Sequence, residues 1–210
     1  MSEPMVERRE PAGEDVSAPV YGLERYRHRP RGEERTAHVG MAIFLGSWAM
    51  LFIGLFFAYA LVRTRAPLWP PLDAPPLPRL IPGLNTLAIL ASSAAMVRAV
   101  RSVELGRNRQ GFQGLAAAAA LGAVFLGLQA LVWGSLWRAG LLPSSGTFGS
   151  VFYAFTVFHA LHVAVGVGGL TWAAFRARRG AGRSAARLWS WYWHFVGVLW
   201  VALYATVFLA

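Results

Sequence analysis

The segment WSWYWHFVGVLWVALYATVFLA, residues Trp189–Ala210, decides the fold class. It carries no charged residue and is long enough to cross a bilayer as an α-helix. It nevertheless contains His194, which stands among four aromatic residues, Trp191, Tyr192, Trp193 and Phe195. An imidazole in hydrocarbon is costly unless it has a protein partner. We therefore expect this segment to dock into a larger membrane assembly.

Four further apolar runs precede this segment, and the five runs span about 38–62, 82–103, 112–137, 148–175 and 188–209. Each reaches the ~20 residues that a membrane-spanning α-helix needs. The strands of a membrane barrel would alternate polar and apolar residues, and these runs do not. With 56% hydrophobic residues and a mean hydropathy of +0.43, the chain is too apolar for a soluble domain of its size. We predict an all-α integral membrane bundle of five transmembrane helices over residues 38–210.

The basic residues predict the orientation of this bundle. All 20 Lys+Arg residues are arginine, and the net charge is +10. Only four would face one side of the membrane, namely Arg63, Arg65, Arg79 and Arg138. The positive-inside rule then predicts a cytoplasmic N-terminus and a C-terminus outside. Anionic lipid headgroups explain the basic charge, so we expect no nucleic-acid partner.

The acidic residues and the cysteine count exclude several functions. Eight of the ten acidic residues lie within residues 1–37, and the other two are Asp73 and Glu104. This mixed-charge segment has no apolar signal-peptide core, so we expect a disordered cytoplasmic tail. A proton pump or cation carrier usually keeps a carboxylate at membrane depth, and none lies well inside the runs. Because the chain has no Cys, disulfides and thiolate metal sites are excluded.

Polar and small residues within the runs recur at helical spacing. His159 and His162 are three residues apart and therefore share one helix face. Small residues such as Gly122 and Gly127 would let helices approach closely, while amides, hydroxyls and imidazoles can bond between helices. We interpret six residues as buried polar packing: Asn85, Ser92, Gln129, His159, His162 and His194.

The alternative interpretation of the histidines is haem or copper ligation by His159, His162 and His194. Imidazole is a common axial ligand of membrane haems. Two histidines three residues apart on one helix, however, cannot take opposite faces of one haem. A metal site would need further ligands, and only His38 could be recruited. We therefore expect no catalytic, cofactor-binding or metal-binding residue in this chain.

Several sequence blocks, taken in their order along the chain, resemble the pattern of a known family. GMAIFLGSWAMLFIGLFFAY begins at Gly40, GSVFYAFTVFHALHV begins at Gly149, and WYWHFVGVLWVALY begins at Trp191. Between the first two lie WPP, LNT, RNRQGFQGL and GLQA, in that order. This pattern resembles subunit III of haem–copper terminal oxidases of the cytochrome c oxidase type, over most of residues 40–205. Longer members have seven helices, and this chain resembles the five-helix form that lacks the first two.

Three positions depart from the family pattern, and each replaces a carboxylate. Trp48 stands where the family's Ser-Glu pair has its Glu. Val132 replaces the Glu that follows Gln-Ala-x, and Gly197 replaces the Asp that follows His-Phe-Val. The loss of all three acidic positions at membrane depth is typical of a divergent branch.

The resemblance implies a non-catalytic subunit of an aerobic respiratory oxidase that reduces oxygen to water. Such a subunit stabilises the catalytic subunit, and haem and copper would then be held by partner subunits I and II rather than by this chain. The implied location is the cell inner (plasma) membrane. A second hypothesis is a subunit-III-like accessory protein of a nitric oxide reductase or another membrane complex. A third is a free-standing membrane haem protein or a small transporter, of which the transporter is disfavoured by the missing membrane carboxylates.

The resemblance also points to a phospholipid contact at Arg176. This residue follows His162 by fourteen positions and matches a family arginine that contacts a lipid phosphate. A guanidinium can bind a phosphate through two parallel hydrogen bonds. The alternative is that Arg176 is an ordinary arginine of the positive-inside pattern.

Overall fold

In the computed structural model, residues 31–72 and 74–209 are described, and they contain five long helices and no strand. The helices are α1 (Arg31–Arg65), α2 (Leu80–Glu104), α3 (Asn108–Arg138), α4 (Gly146–Arg178) and α5 (Arg183–Tyr204), and a π-helical turn, Ala205–Leu209, follows α5. All five are long and apolar enough to cross a membrane. The predicted all-helical bundle of five membrane-spanning helices is therefore confirmed.

Helices α1 to α4 extend beyond both ends of the apolar runs that predicted them, and α5 begins before its run, at Arg183. Apolar runs measure the part of a helix that meets lipid, whereas the backbone hydrogen bonds continue into the polar interface until a residue breaks them. At the N-terminus, α1 begins at Arg31, so residues 31–37 of the predicted tail are helical. Residues 1–30, on which the rest of that prediction falls, lie outside the described residues.

Two short turns at the same end of the bundle stop their helices with a glycine. After α2, Gly106 has φ 74° and donates to Val103 O, while Arg107 N donates to Ser102 O. After α4, Gly180 has φ 76° and makes the equivalent bonds together with Ala181. A left-handed residue at this position favours glycine and satisfies the last helix carbonyls. We call this end, where the α2–α3 and α4–α5 turns lie, the basic end.

Helices α2, α3, α4 and α5 form a closed four-helix bundle, with α2 packed on α3 and α5, and α4 packed on α3 and α5. Helix α1 lies outside this bundle, against α4 and α5. Its buried side chains, within the part of α1 whose side chains are described, are Phe52 and Tyr59. Most of its apolar surface is therefore left for lipid or for a partner protein.

One stripe of α1 makes its contacts with the bundle, and we call it the aromatic seam: Phe44, Trp48, Phe52, Phe56 and Tyr59. The three- and four-residue spacing places these rings on one helix face. The seam contacts Phe155 and His162 of α4 and Tyr192 of α5. Gly40 and Gly54 of the same helix have no neighbour within 4 Å of a Cβ built on them.

The centre of the bundle is filled by Trp193, which is fully buried. A Cβ at Gly122 of α3 would lie 2.6 Å from the Trp193 indole and 2.7 Å from Val167 Cγ2. A Cβ at Gly166 of α4 would also lie 2.6 Å from the same indole. Two glycines therefore provide the space that this large ring occupies.

We expect Gly122→Ala to destabilise the folded chain by about 1–3 kcal/mol, because the added methyl overpacks the space beside Trp193. The matched control is Gly127→Ala on the same helix, where no atom lies within 4 Å of the built Cβ. That change should be neutral or slightly stabilising through helix propensity. Denaturation of the purified full chain by SDS measures both, and equal midpoints for the two variants would contradict the packing argument.

Candidate functional site

The interior of the four-helix bundle contains side-chain hydrogen bonds that join different helices. Asn85 Nδ2 of α2 donates to Gln129 Oε1 of α3 over 3.4 Å, and both residues are buried. Ser92 Oγ of α2 donates to the Ala118 carbonyl of α3 over 2.9 Å. Hydrocarbon offers no alternative partner to these groups, so each bond favours the packed arrangement.

Indole N–H groups provide a second set of such bonds. Trp193 Nε1 donates to Ser92 Oγ over 2.8 Å. Trp200 Nε1 donates to Thr86 Oγ1 over 3.0 Å, and Trp133 Nε1 donates to Thr156 Oγ1 over 3.1 Å. The sequence did not predict these three hydrogen bonds. The available signal was an indole N–H inside an apolar run, which must find an acceptor when it is buried.

His159 and His162 are both buried, on the face of α4 that the spacing predicted. His159 packs among the rings of Phe52, Phe125 and Trp200, with Trp200 at 5.4 Å between ring centroids. His162 Nδ1 pairs with the Phe158 carbonyl of its own helix. Aromatic faces surround both imidazoles, and this environment does not suit a metal ion, which needs further N, O or S ligands.

The side chains that the haem or copper alternative requires are not brought together. His162 faces Trp48 and Phe52 of α1, whereas His194 lines a groove between α2 and α5. His38 contacts Trp191, with 5.3 Å between ring centroids. Within residues 31–72 and 74–209, no group of three or more His, Asp or Glu side chains is placed to hold a metal ion. The described histidines therefore do not fit a haem or a copper centre.

His194 differs from the other five residues interpreted as polar packing. Asn85, Ser92, Gln129, His159 and His162 are buried within the chain, but His194 is only half-buried. The groove that it lines has a volume of about 410 Å³ and opens on the outer surface of the bundle, between α2 and α5.

Two of the positions that depart from the family pattern are filled by apolar packing. Trp48 lies edge-on against His162, with 3.5 Å between ring centroids. Val132 is fully buried. At the third, a Cβ on Gly197 would lie 3.6 Å from Ser93 Oγ, which is ordinary van der Waals contact. The interior around these positions is thus built without carboxylates.

Glu104 joins two helix ends at the basic end. Glu104 at the end of α2 forms a 2.8 Å ion pair with Arg187 of α5, and its carbonyl accepts a 3.1 Å bond from Arg183 Nη2. Both charged groups of the ion pair are partly exposed, so its contribution to stability is small. Its main effect is to fix the α2 and α5 ends together within a surface dominated by arginine.

Arg176 lies at the same end and is half-buried. Its Nε donates to the Ala181 carbonyl over 3.3 Å, and its guanidinium carbon lies 5.1 Å from the ring centroid of Trp172. Trp172 itself is 52% exposed, as expected for a tryptophan at a membrane interface. These contacts hold the guanidinium in one orientation and leave its two Nη groups without a hydrogen-bond partner in the described part of the chain.

The end of the bundle opposite the basic end contains two linked hydrogen bonds that the sequence did not predict. Trp69 Nε1, in the α1–α2 connection, donates to the Tyr59 hydroxyl over 3.1 Å. That hydroxyl donates to the Thr206 carbonyl, also over 3.1 Å. These two bonds connect the α1–α2 loop, helix α1 and the π-helical turn that follows α5. The same loop borders a cavity of about 870 Å³, which Arg65 and Phe148 also line.

These features define an all-helical, multi-pass membrane protein with a carboxylate-free polar and aromatic interior. The sequence-family model for cytochrome c oxidase subunit III matches residues 28–210. The cytochrome c oxidase subunit 3 of Ornithorhynchus anatinus is 34% identical over 194 residues, covering 86% of this chain and 72% of that protein. The protein of the same name from Synechocystis sp. is 33% identical over 190 residues, covering 87% of this chain and 79% of that protein. The chain belongs to the cytochrome c oxidase subunit III family.

We expect Ser92→Ala to destabilise the folded chain by about 1–2 kcal/mol, because it leaves the buried Trp193 N–H without an acceptor. The matched control is the neighbouring Ser93→Ala, since Ser93 makes no hydrogen bond within the described residues. SDS denaturation of the full chain measures both variants. In the Trp193→Phe background the Ser92→Ala effect should shrink, and equal destabilisation by Ser92→Ala and Ser93→Ala would refute this account.

Proposed function

We propose that this chain is the non-catalytic subunit III of an aerobic respiratory haem–copper oxidase, the complex that reduces oxygen to water. The family match over residues 28–210 carries the proposal. The five-helix membrane fold agrees with it. No feature of the fold or of the polar interior favours the alternative of a nitric oxide reductase accessory protein.

Haem and copper belong, in this proposal, to partner subunits I and II. The described histidines of this chain lie among aromatic rings, and the described residues offer no cluster of metal ligands. This chain's own contribution is structural: it presents a rigid helical surface beside the catalytic subunit and stabilises it. The proposed location is the cell inner (plasma) membrane, with phospholipids as additional partners.

Purification of the tagged full chain from its native membranes in mild detergent tests this function. We expect a large haem-bearing subunit and a copper-bearing subunit to be recovered with it, identified by mass spectrometry and by the visible haem spectrum. Recovery of nitric oxide reductase subunits, or of the chain alone, would refute the proposal.

The proposed orientation places the basic end and the N-terminal tail, residues 1–37, in the cytoplasm. It is supported by the arginines of this end, of which Arg176, Arg178, Arg179, Arg183 and Arg187 belong to one connection and its flanks. Only four arginines would face the other side. Anionic headgroups and the positive-inside rule both favour this arrangement.

Single cysteines can test this orientation without background labelling, because the chain contains no Cys. We expect Ser144→Cys, in the exposed α3–α4 connection, to react with a membrane-impermeant maleimide applied to intact cells. Ala181→Cys, in the exposed α4–α5 turn, should react only after permeabilisation. The reverse labelling pattern would show that the orientation is inverted.

We further propose that Arg176 binds the phosphate of a phospholipid. The contact with Ala181 uses Nε, and the stacking on Trp172 uses the guanidinium face, so the two Nη groups are left for a phosphate. Arginine suits this role because its fork binds two oxygens at once.

Removal of this guanidinium should release a tightly held lipid. We expect Arg176→Ala to lower the phospholipid retained after detergent washing by about one molecule per chain, as measured by native mass spectrometry. Arg179→Ala, at the exposed residue directly after the same helix, is the control for general loss of charge and should retain this lipid. If both variants retain equal lipid, Arg176 is an ordinary arginine of the positive-inside pattern.

A further inference from the structure

The groove between α2 and α5 is an open surface of the four-helix bundle at membrane depth. Its walls are formed by Ile89 and Ser93 of α2 and by His194, Gly197, Val198 and Ala202 of α5. Val198 is 69% exposed, so the groove is accessible from the side. A volume of about 410 Å³ leaves room for several side chains of an approaching element.

Two polar groups face this groove without a partner. Neither the His194 imidazole nor the Ser93 hydroxyl makes a hydrogen bond with any described residue. This contrasts with Ser92, one position earlier, whose hydroxyl bonds to both Ala118 and Trp193. A polar group facing hydrocarbon without a partner is costly, so an occupant that completes these bonds would be bound preferentially.

The depth of His194 decides between lipid and protein as the occupant. The span of α5 with its π-helical turn runs from Arg183 to Leu209, and His194 lies near its middle. A lipid headgroup stays at the interface, about 15 Å away at half the hydrocarbon thickness. Acyl chains reach this depth but cannot accept or donate a hydrogen bond. A transmembrane helix that carries a polar side chain meets both requirements.

The shape of the groove also suits a helix. Gly197, Ala202 and Ala205 are small, and they allow a second backbone to approach closely. A second copy of this chain would fit less well, because a two-fold axis through the groove would place one concave surface against another.

We propose that this groove binds a transmembrane helix of the catalytic subunit, and that a polar side chain of that helix hydrogen-bonds to His194. This proposal rests on the oxidase function proposed above and identifies the face of the chain that makes the contact. Ser93 provides a second bonding position on the opposite wall.

Photo-crosslinking in the native complex tests the surface directly. The photoreactive residue p-benzoylphenylalanine is placed at Val198 in the groove or, as the control, at Leu131, which is 60% exposed on α3. We expect the Val198 position to crosslink to the largest, haem-bearing subunit and the Leu131 position not to do so. Crosslinks from Val198 to lipid alone, or to a second copy of this chain, would overturn the proposal.

The same experiment separates failure of this surface from failure of the oxidase function. If the haem-bearing subunit is recovered with the chain but crosslinks only from Leu131, the function stands and the docking face is wrong. If no haem-bearing subunit is recovered with either variant, the proposed function fails as well.

A hydrogen-bond test complements the crosslink. We expect His194→Phe, which keeps a ring of similar size, to lower recovery of the haem-bearing subunit by about 3- to 20-fold under detergent challenge, the range expected for one hydrogen bond in a membrane. Ser93→Ala should give a smaller loss, and Thr171→Val on α4, outside the groove, should give none. Because His194 has no partner within the chain, SDS denaturation of the free full-length chain should be unchanged by His194→Phe. Undiminished recovery of the haem-bearing subunit, or a comparable loss of stability in the free chain, would overturn the proposal.

Discussion

The indole of Trp193 contacts three other helices from a single position on α5. Its ring lies over Gly122 of α3 and Gly166 of α4, and its N–H bonds to Ser92 of α2. In hydrocarbon the apolar surfaces of helices gain little by leaving lipid, so association depends on close packing and on interhelical hydrogen bonds. This side chain provides both, and the register of the four-helix bundle follows from where it fits.

The helix number could be predicted because bilayer thickness sets a minimum apolar length, which each of the five runs meets. The helix ends could not be predicted from the same signal. Arg178 lies beyond its apolar run, yet it remains helical because backbone bonding continues until a terminator, Gly180, is reached. Arg31 lies before its apolar run and is also helical. The family could be recognised from the blocks around Gly40, Gly149 and Trp191, because their order and spacing are specific.

Only part of the polar interior could be predicted from the sequence. Helical spacing identifies a shared face, and it placed His159 and His162 together. Spacing along one helix does not show which neighbour covers a face, and for this reason His194 could not be distinguished from them. The bond between Ser92 and Trp193 joins residues 101 positions apart, a pairing that no local pattern reveals. The three histidines thus share one chemistry but lie in different surroundings, two among aromatic rings and one at an open groove.

The aromatic seam of α1 has a consequence for the order in which the molecule is built. The rings that the seam meets belong to α4 and α5, which a ribosome makes after α1. Helix α1 is therefore synthesised before the two helices on which it packs, and its aromatic face is exposed to lipid until α4 and α5 follow. Assembly of the chain therefore runs against the order of its synthesis at this point, because an early helix gains its packing partners only from late ones.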